Sequence, residues 1–271
     1  MRHTAIVVSF LLMFPLSSYP QWISVKWPDI PRTATGAPNL DAPVPKTFDG
    51  KPDLSGIWKF IPNADRIRNG QGRAGIRYNF PKIEVPVRPS ARQLWDKRFE
   101  VDAGSGRPSE RCLPHAVPDS LFFGMFKILQ TTREVAVLEE EFNYYRQIHT
   151  DGRSHPVDPE PAWFGYSIGA WDGDTLVVHT KGFKIGSWLD YGWLDDSGIP
   201  YSPALQVTER FHRENFGRMH LDVTFDDPGV FTRAWGLSAN FELVPDTELI
   251  EDVCENERDM RHNGKRAAAV E

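Results

Sequence analysis

The sequence predicts a mainly β protein that folds as a single antiparallel β-barrel with a long irregular N-terminal arm and one short helix. Short apolar and aromatic runs, separated by turn residues, recur from Leu54 to the last part of the chain, as in strands joined by hairpins. Crossover helices are almost absent, and closing the sheet removes the exposed edges that an open sheet leaves. A β-sandwich is the alternative architecture.

The elements follow from local patterns. The run "LSGIWKF" predicts the first strand, and Ser90 caps the one predicted helix, "ARQLWDKRF". The runs "LFFGMFKILQTT" and "EVAVLEEEFNYYRQIH" predict neighbouring antiparallel strands.

Three later turns predict hairpins. Asp172, Gly173 and Asp174 separate two strands, because glycine accepts a positive φ. A turn at 215–217 precedes a strand that alternates apolar and polar residues, and a final hairpin is predicted to turn at Pro245 and Asp246.

Four segments are predicted along the chain. Residues 1–20 read as a signal peptide, with a basic start and an apolar run too short to span a bilayer. A proline-rich extended arm follows at 21–52, then the barrel domain at 53–258 and a flexible tail at 259–271. The signal predicts a secreted or periplasmic protein with no stable membrane span after its removal, and an uncleaved membrane anchor is the alternative.

The composition of the chain limits the classes of molecule that it is expected to bind. The formal net charge is −6 and the basic residues are scattered, which argues against nucleic acid. Nine tryptophans are typical either of core filler or of a cavity for flat apolar molecules. The two cysteines, Cys112 and Cys254, predict one disulfide in an exported protein, and two buried free thiols are the alternative.

A set of motifs resembles a largely uncharacterised family of exported bacterial proteins. The stretches are "PDLSGIW", "DGRSHP", "WFGYSIGAWDGDTLVVHTKGF", "TERF", "DDP" and "VCEN", which together cover most of the chain from Asp53 to Asn256. The resemblance implies a shared fold rather than an activity. One departure is Tyr201, where that family usually has a histidine. The opening Gly56-x-Trp58 also looks like the first strand of lipocalin or calycin barrels.

The densest set of reactive side chains is His149, Asp151, Arg153 and His155. A carboxylate that orients an imidazole raises its basicity, so these residues are candidates for proton transfer; an exposed turn is the plainer interpretation. A metal held by the two histidines with Asp151 or His115 is a minor alternative, and we predict none.

Two acids extend the catalytic candidates. Glu209, if it faces inward from its strand, would be desolvated and suited to proton transfer, or would form an internal ion pair with an arginine such as Arg146. Asp190 lies between tryptophans and is a pocket candidate or an ordinary loop cap. The candidate substrate-binding residues are Arg146, Arg153, Trp163, Trp171, Trp188, Tyr201 and Trp235.

Cofactor motifs are absent, so we predict no cofactor. Gly165-x-Ser167-x-Gly169 fits the nucleophile-elbow spacing, but a hairpin rather than a helix follows it. Two functions remain. The favoured one is a cofactor-independent lyase, isomerase or cyclase acting on an aromatic or isoprenoid-like molecule inside the barrel, and the alternative is a carrier for a hydrophobic small molecule. A structural role in the cell envelope is the third possibility.

Overall fold

The structure is a computed structural model that describes residues 26–67, 75–100, 108–114, 116–186 and 191–254. The predicted signal peptide, the tail, Trp188 and Asp190 lie outside these ranges. Two α-helices are found in them, α1 (Ile76–Asn79) and α2 (Pro89–Glu100), and two short 3-10 helices, Pro108–Arg111 and Asp119–Phe122. The strands are β1 (Gly56–Ile61), β2 (Met125–Gln130), β3 (Glu134–Glu139), β4 (Tyr145–His149), β5 (Tyr166–Asp172), β6 (Thr175–Lys181), β7 (Gly192–Trp193), β8 (Pro200–Tyr201), β9 (Gln206–Asn215), β10 (Arg218–Asp226) and β11 (Trp235–Leu243).

Nine of these strands form a closed barrel, in the order β1-β11-β10-β9-β6-β5-β4-β3-β2. The predicted single barrel is therefore confirmed. One neighbouring pair, β4 and β5, is parallel, and it is joined through only two residue pairs, Ile148 with Ser167 and His149 with Ile168. The antiparallel β5–β6 pair, by comparison, has seven. The β4–β5 junction is thus the weakest backbone connection in the barrel wall, and below it is called the seam.

The predicted turns agree with the structure except at the last one. Gly173 has a φ of 62° and joins β5 to β6. The run from Glu134 to His149 is not one strand but two, β3 and β4. The final hairpin was a wrong prediction: Asp246 does turn the chain with a φ of 57°, but no strand follows it as far as residue 254, the last that the structure describes. The segment after it makes a single bridge, from Asp252 to Glu141.

The barrel interior is filled. Alternate side chains of β10 and β11 point inward, and Leu221 and Phe241 expose 0% of their surface. The Phe126 and Phe241 rings contact each other at 5.3 Å between centroids. Side chains that line a large hollow would keep surface that water can reach, so the core differs from the apolar hollow that the sequence analysis expects. It is packed like an ordinary protein interior.

The proline-rich arm is folded against the barrel. The backbone N–H groups of Phe216 and Gly217 donate to the carbonyl oxygens of Ala42 and Leu40, at 2.8 and 2.7 Å. These bonds fix the arm to the turn between β9 and β10. The arm is therefore part of the domain surface, although it lacks regular secondary structure.

The predicted disulfide is confirmed. Cys112 and Cys254 are bonded, with 5.5 Å between their Cα atoms and a sequence separation of 142 residues. The bond ties the end of the described chain to the loop that follows α2. No helix in the described ranges is long and apolar enough to cross a membrane.

Replacing both Cys112 and Cys254 by serine should lower the free energy of unfolding by up to about 5 kcal/mol, since the bond closes a long loop in the unfolded chain. Urea unfolding followed by circular dichroism measures the change. The same denaturation in the presence of reductant should bring the wild-type protein to the value of the double variant. A wild-type curve that reductant leaves unchanged would contradict this expectation.

Candidate functional site

The predicted polar cluster lies on the outer wall beside the seam. The His149 and His155 rings both contact the ring of Tyr166, with centroids 5.2 and 6.0 Å away. Arg153 donates to the Tyr166 hydroxyl at 3.3 Å. The structure thus brings together the residues that the sequence analysis grouped, with Tyr166 added.

The carboxylate of Asp151 pairs with Arg153 and not with the imidazole of a histidine. Its two carboxylate oxygens accept from the guanidinium at distances of 2.6 to 3.1 Å. That pairing lowers the pKa of Asp151 to about 2. The expected proton-transfer pair with His149 or His155 is therefore replaced by a local ion pair, which matches the alternative of an exposed turn.

His155 is the more enclosed imidazole of the cluster. Burial and the nearby Lys181 lower its pKa, so the neutral ring is favoured. Its Nδ1 atom is buried and accepts or donates no hydrogen bond within the described part of the chain. No group of three side chains able to hold a metal ion is found among the described residues.

Glu209 lies inside the barrel and is committed to Arg146. The guanidinium donates to both carboxylate oxygens, at 3.0 and 2.5 Å, and also to the hydroxyls of Ser167 and Thr180. The side chains of Arg146 and Glu209 expose 2% and 0% of their surface. The internal ion pair was one of the two interpretations of Glu209, and it is the one that the structure contains. Ser167 is a member of this network and not an exposed nucleophile.

The predicted aromatic residues do not converge on one pocket. Trp235 is buried and stacks on Phe225 at 4.5 Å between centroids. The ammonium groups of Lys51 and Lys184 lie over the rings of Trp171 and Trp163 respectively. These tryptophans fill the core or support surface cations, which is the core-filler alternative for the aromatic content.

Tyr201 is also a structural residue. It exposes 2% of its surface, and its hydroxyl donates to the carbonyl oxygen of Lys184 at 2.6 Å. Burial raises its pKa. A phenol in this state neither gives nor takes a proton near neutral pH, so Tyr201 is not a proton-transfer group.

A different cavity lies between the arm and the end of the barrel, and we name it the arm cleft. Its volume is about 460 Å³. Residues from the arm, from β1 and from the β9–β10 and post-β11 turns line it: Trp27, Asp29, Ile30, Pro45, Asp53, Ser55, Gly56, Ile57, Lys127, Arg213, Phe216, Leu243, Val244, Pro245, Asp246 and Thr247. The sequence analysis missed it, because its walls are far apart in the chain. The apolar residues of the arm, such as Trp27 and Ile30, were the available signal.

Arg213 fastens the base of the arm cleft. Its guanidinium lies over the rings of Trp58 and Phe216, at 4.9 and 5.1 Å. Its N–H groups donate to four backbone carbonyls, those of Asp53, Ser55, Asn215 and Phe216. Burial lowers its pKa to about 10, so the group is still charged at neutral pH. It joins the start of β1 to the β9–β10 turn and gives the cleft a rigid floor.

Contacts between Asp246 and two arm residues, Arg32 and Trp27, hold the arm over the cleft, and we name them the clasp. Arg32 donates to both carboxylate oxygens of Asp246, each at 2.6 Å. The backbone N–H of Trp27 donates to the same carboxylate at 3.2 Å. One arginine and one turn residue thus connect the two sides of the cleft mouth.

No protein-family model, curated protein or solved structure matches this chain. The family resemblance of its motifs stays a prediction.

Because Arg146 and Glu209 form a buried ion pair, the effects of mutating them on stability should be strongly coupled. Glu209→Met and Arg146→Met should each lower the free energy of unfolding by about 3–5 kcal/mol, because each leaves the remaining charge buried without its partner. The double variant Arg146→Met, Glu209→Met should lose less than the sum of the two single changes. Urea unfolding of all four proteins measures the coupling.

Arg210→Gln is the matched control for the ion pair. Arg210 follows Glu209 in β9 but points outward and pairs with Asp172 at the exposed surface, so its loss should change stability by less than about 1 kcal/mol. Additive effects at residues 146 and 209 would contradict the coupling.

The clasp should open at acid pH, when Asp246 becomes protonated. Arg32 lowers the pKa of Asp246, so the pairing stabilises the closed arm above the unfolded-state pKa of about 3.9 and is lost as the pH falls through the folded value. The fluorescence of Trp27, taken as the difference between wild type and Trp27→Phe, should change below about pH 4. Asp246→Asn should show the acid spectrum already at neutral pH. Asp174→Asn, which breaks another arm contact, that of Lys46, should leave the transition in place.

Proposed function

We propose that this protein binds a small, predominantly apolar molecule in the arm cleft. The observation that carries the proposal is a cleft of about 460 Å³, within the range that holds small ligands. Its apolar side chains are Trp27, Ile30, Pro45, Ile57, Phe216, Leu243, Val244 and Pro245. The lining also carries polar residues, which are Asp29, Asp53, Ser55, Lys127, Arg213, Asp246 and Thr247. Apolar walls with polar groups that fix orientation are typical of small-molecule sites, and an aromatic or isoprenoid-like molecule with a polar group fits this description.

Binding without turnover is the function that the geometry supports best. None of the candidate acids and bases described by the structure lines the arm cleft. Glu209 is held by Arg146 and Asp151 by Arg153, so neither is free to move a proton. The lyase or isomerase chemistry expected from the sequence would need these groups inside a pocket, and the core at that place is filled.

The clasp gives the site a way to retain its ligand. Arg32 and Asp246 connect across the mouth, and Trp27 lies beside them. Opening this contact would free the part of the arm around Trp27, while the bonds of Leu40 and Ala42 to the β9–β10 turn would hold the rest of the arm in place. We propose a secreted or periplasmic carrier, which the Cys112–Cys254 disulfide supports because such bonds persist in oxidising compartments.

Two probe molecules test the site. Geraniol and 1-naphthol are titrated into the mature protein, with isothermal titration calorimetry as the readout, and we expect both to bind. Ile30→Asp places a carboxylate in the apolar wall and should weaken binding about tenfold or more, since burying an unpaired charge is costly.

Phe48→Asp is the control for this test. Phe48 is on the same arm but is fully exposed, at 104% of its reference surface, and it does not line the cleft. It should leave the dissociation constants unchanged. Failure of both probes to bind, or equal weakening by the two variants, would remove the arm cleft as the site.

A further inference from the structure

A second cavity differs from the mainly apolar arm cleft. It is a groove with many polar side chains on the outer wall of β10 and β11. Its volume is about 500 Å³, and it shares no lining residue with the arm cleft. The chain from β1 to the loop after α1 forms its other side. Its lining is Asn63, Asp65, Phe80, Lys82, Ile83, Asp222, Val223, Thr224, Gly236, Leu237 and Ser238. We name it the outer groove.

The strand side of the outer groove is a fixed array of hydrogen-bonding groups. Asp222 and Ser238 face each other across β10 and β11, and the serine hydroxyl donates to the aspartate at 2.5 Å. His220 lies 3.2 Å from the same carboxylate oxygen. Thr224 adds a further hydroxyl two residues along β10. Because these side chains stand on paired strands, their spacing is set by the sheet.

The loop side offers complementary groups. Asn63 donates its side-chain N–H to the carbonyl oxygen of Asn79 at 3.1 Å, which holds the amide in place. Lys82 and Asp65 form an ion pair at 2.9 Å. Asp222 on the strand side lies beside His220, with Arg210 as its cross-strand neighbour. Lys82 is the one cationic residue among the described residues of the lining, and its pairing with Asp65 leaves the groove without a free cation to hold an anionic ligand.

Gly236 keeps the middle of the groove open. It pairs with Thr224 and points outward, and a Cβ atom there would lie 2.2 Å from the carbonyl oxygen of Val223. No side chain fits at this position without moving the backbone of β10. The groove floor is thus bare main chain, with the half-buried Ile83 adding apolar surface beside it.

From these features we propose that the outer groove binds a neutral polyhydroxylated ligand, a short saccharide. Closely spaced donors and acceptors match hydroxyl groups, each of which gives and takes hydrogen bonds. Paired charges favour a neutral ligand, and the small apolar floor matches the C–H surface of a sugar ring. A groove of this volume takes two or three rings at a site of ordinary ligand size. This site is separate from the apolar ligand of the arm cleft.

The experiment uses maltotriose, cellotriose and N,N′,N″-triacetylchitotriose as probes. Each is titrated to about 10 mM against the full mature protein, with saturation-transfer NMR and calorimetry as readouts, since weak sites bind in the millimolar range. We expect at least one trisaccharide to bind. Asp222→Asn on the strand side and Asn63→Ala on the loop side should each weaken that binding about fivefold or more, because each removes a hydrogen-bond acceptor for a hydroxyl.

Asp226→Asn is the matched control, since Asp226 is exposed on the same strand and does not line the groove. It should bind as the wild type does. Far-ultraviolet circular dichroism confirms that each variant is folded, and two variants on different walls keep the test informative if one of them is not. Absence of binding for all three trisaccharides, or binding unchanged in both groove variants, would overturn the proposal.

Discussion

The barrel depends on the ion pair between Arg146 and Glu209. The wall has one seam, where β4 and β5 are joined through two residue pairs only. At that place the guanidinium of Arg146, on β4, reaches Ser167 on β5, Thr180 on β6 and Glu209 on β9. Side-chain hydrogen bonds therefore replace the backbone ladder that is missing. Removing a buried ion pair from water is costly. This pair lies at the seam, where it joins strands that few backbone hydrogen bonds connect, and that is the physical reason for a charge in an apolar core.

Because the core is filled, the arm cleft and the outer groove both lie outside the barrel. Phenylalanine, leucine and tryptophan side chains occupy the interior, and each of these two cavities forms where a separate segment lies against the wall. The arm creates one of them at the barrel end, and the chain after β1 creates the other along β10 and β11. The first is apolar and the second polar, because the first covers apolar residues at the barrel end and the second covers the outward, water-facing positions of two strands.

Much of the fold could be predicted from local sequence. The alternation of Met219, Leu221, Val223 and Phe225 identified a half-buried strand, and the lone pair of cysteines identified the disulfide. The last predicted strand was wrong because its apolar residues, such as Ile250 and Val253, stay exposed. The site was less predictable. Alternation left two interpretations of Glu209 open, proton transfer or an internal ion pair with an arginine such as Arg146, 63 residues away, and only the folded barrel shows that the ion pair is the one present. His149 and His155 were grouped by closeness in sequence alone.

The arm comes before the barrel in the chain but can dock only after the barrel residues that it contacts are in place. It is synthesised before any strand, yet its docking surface is the turn between β9 and β10, and Arg32 must wait for Asp246, 214 positions later. Contacts of such long sequence separation form late. The arm therefore takes its final place only when the β9–β10 turn and the segment after β11 are in position.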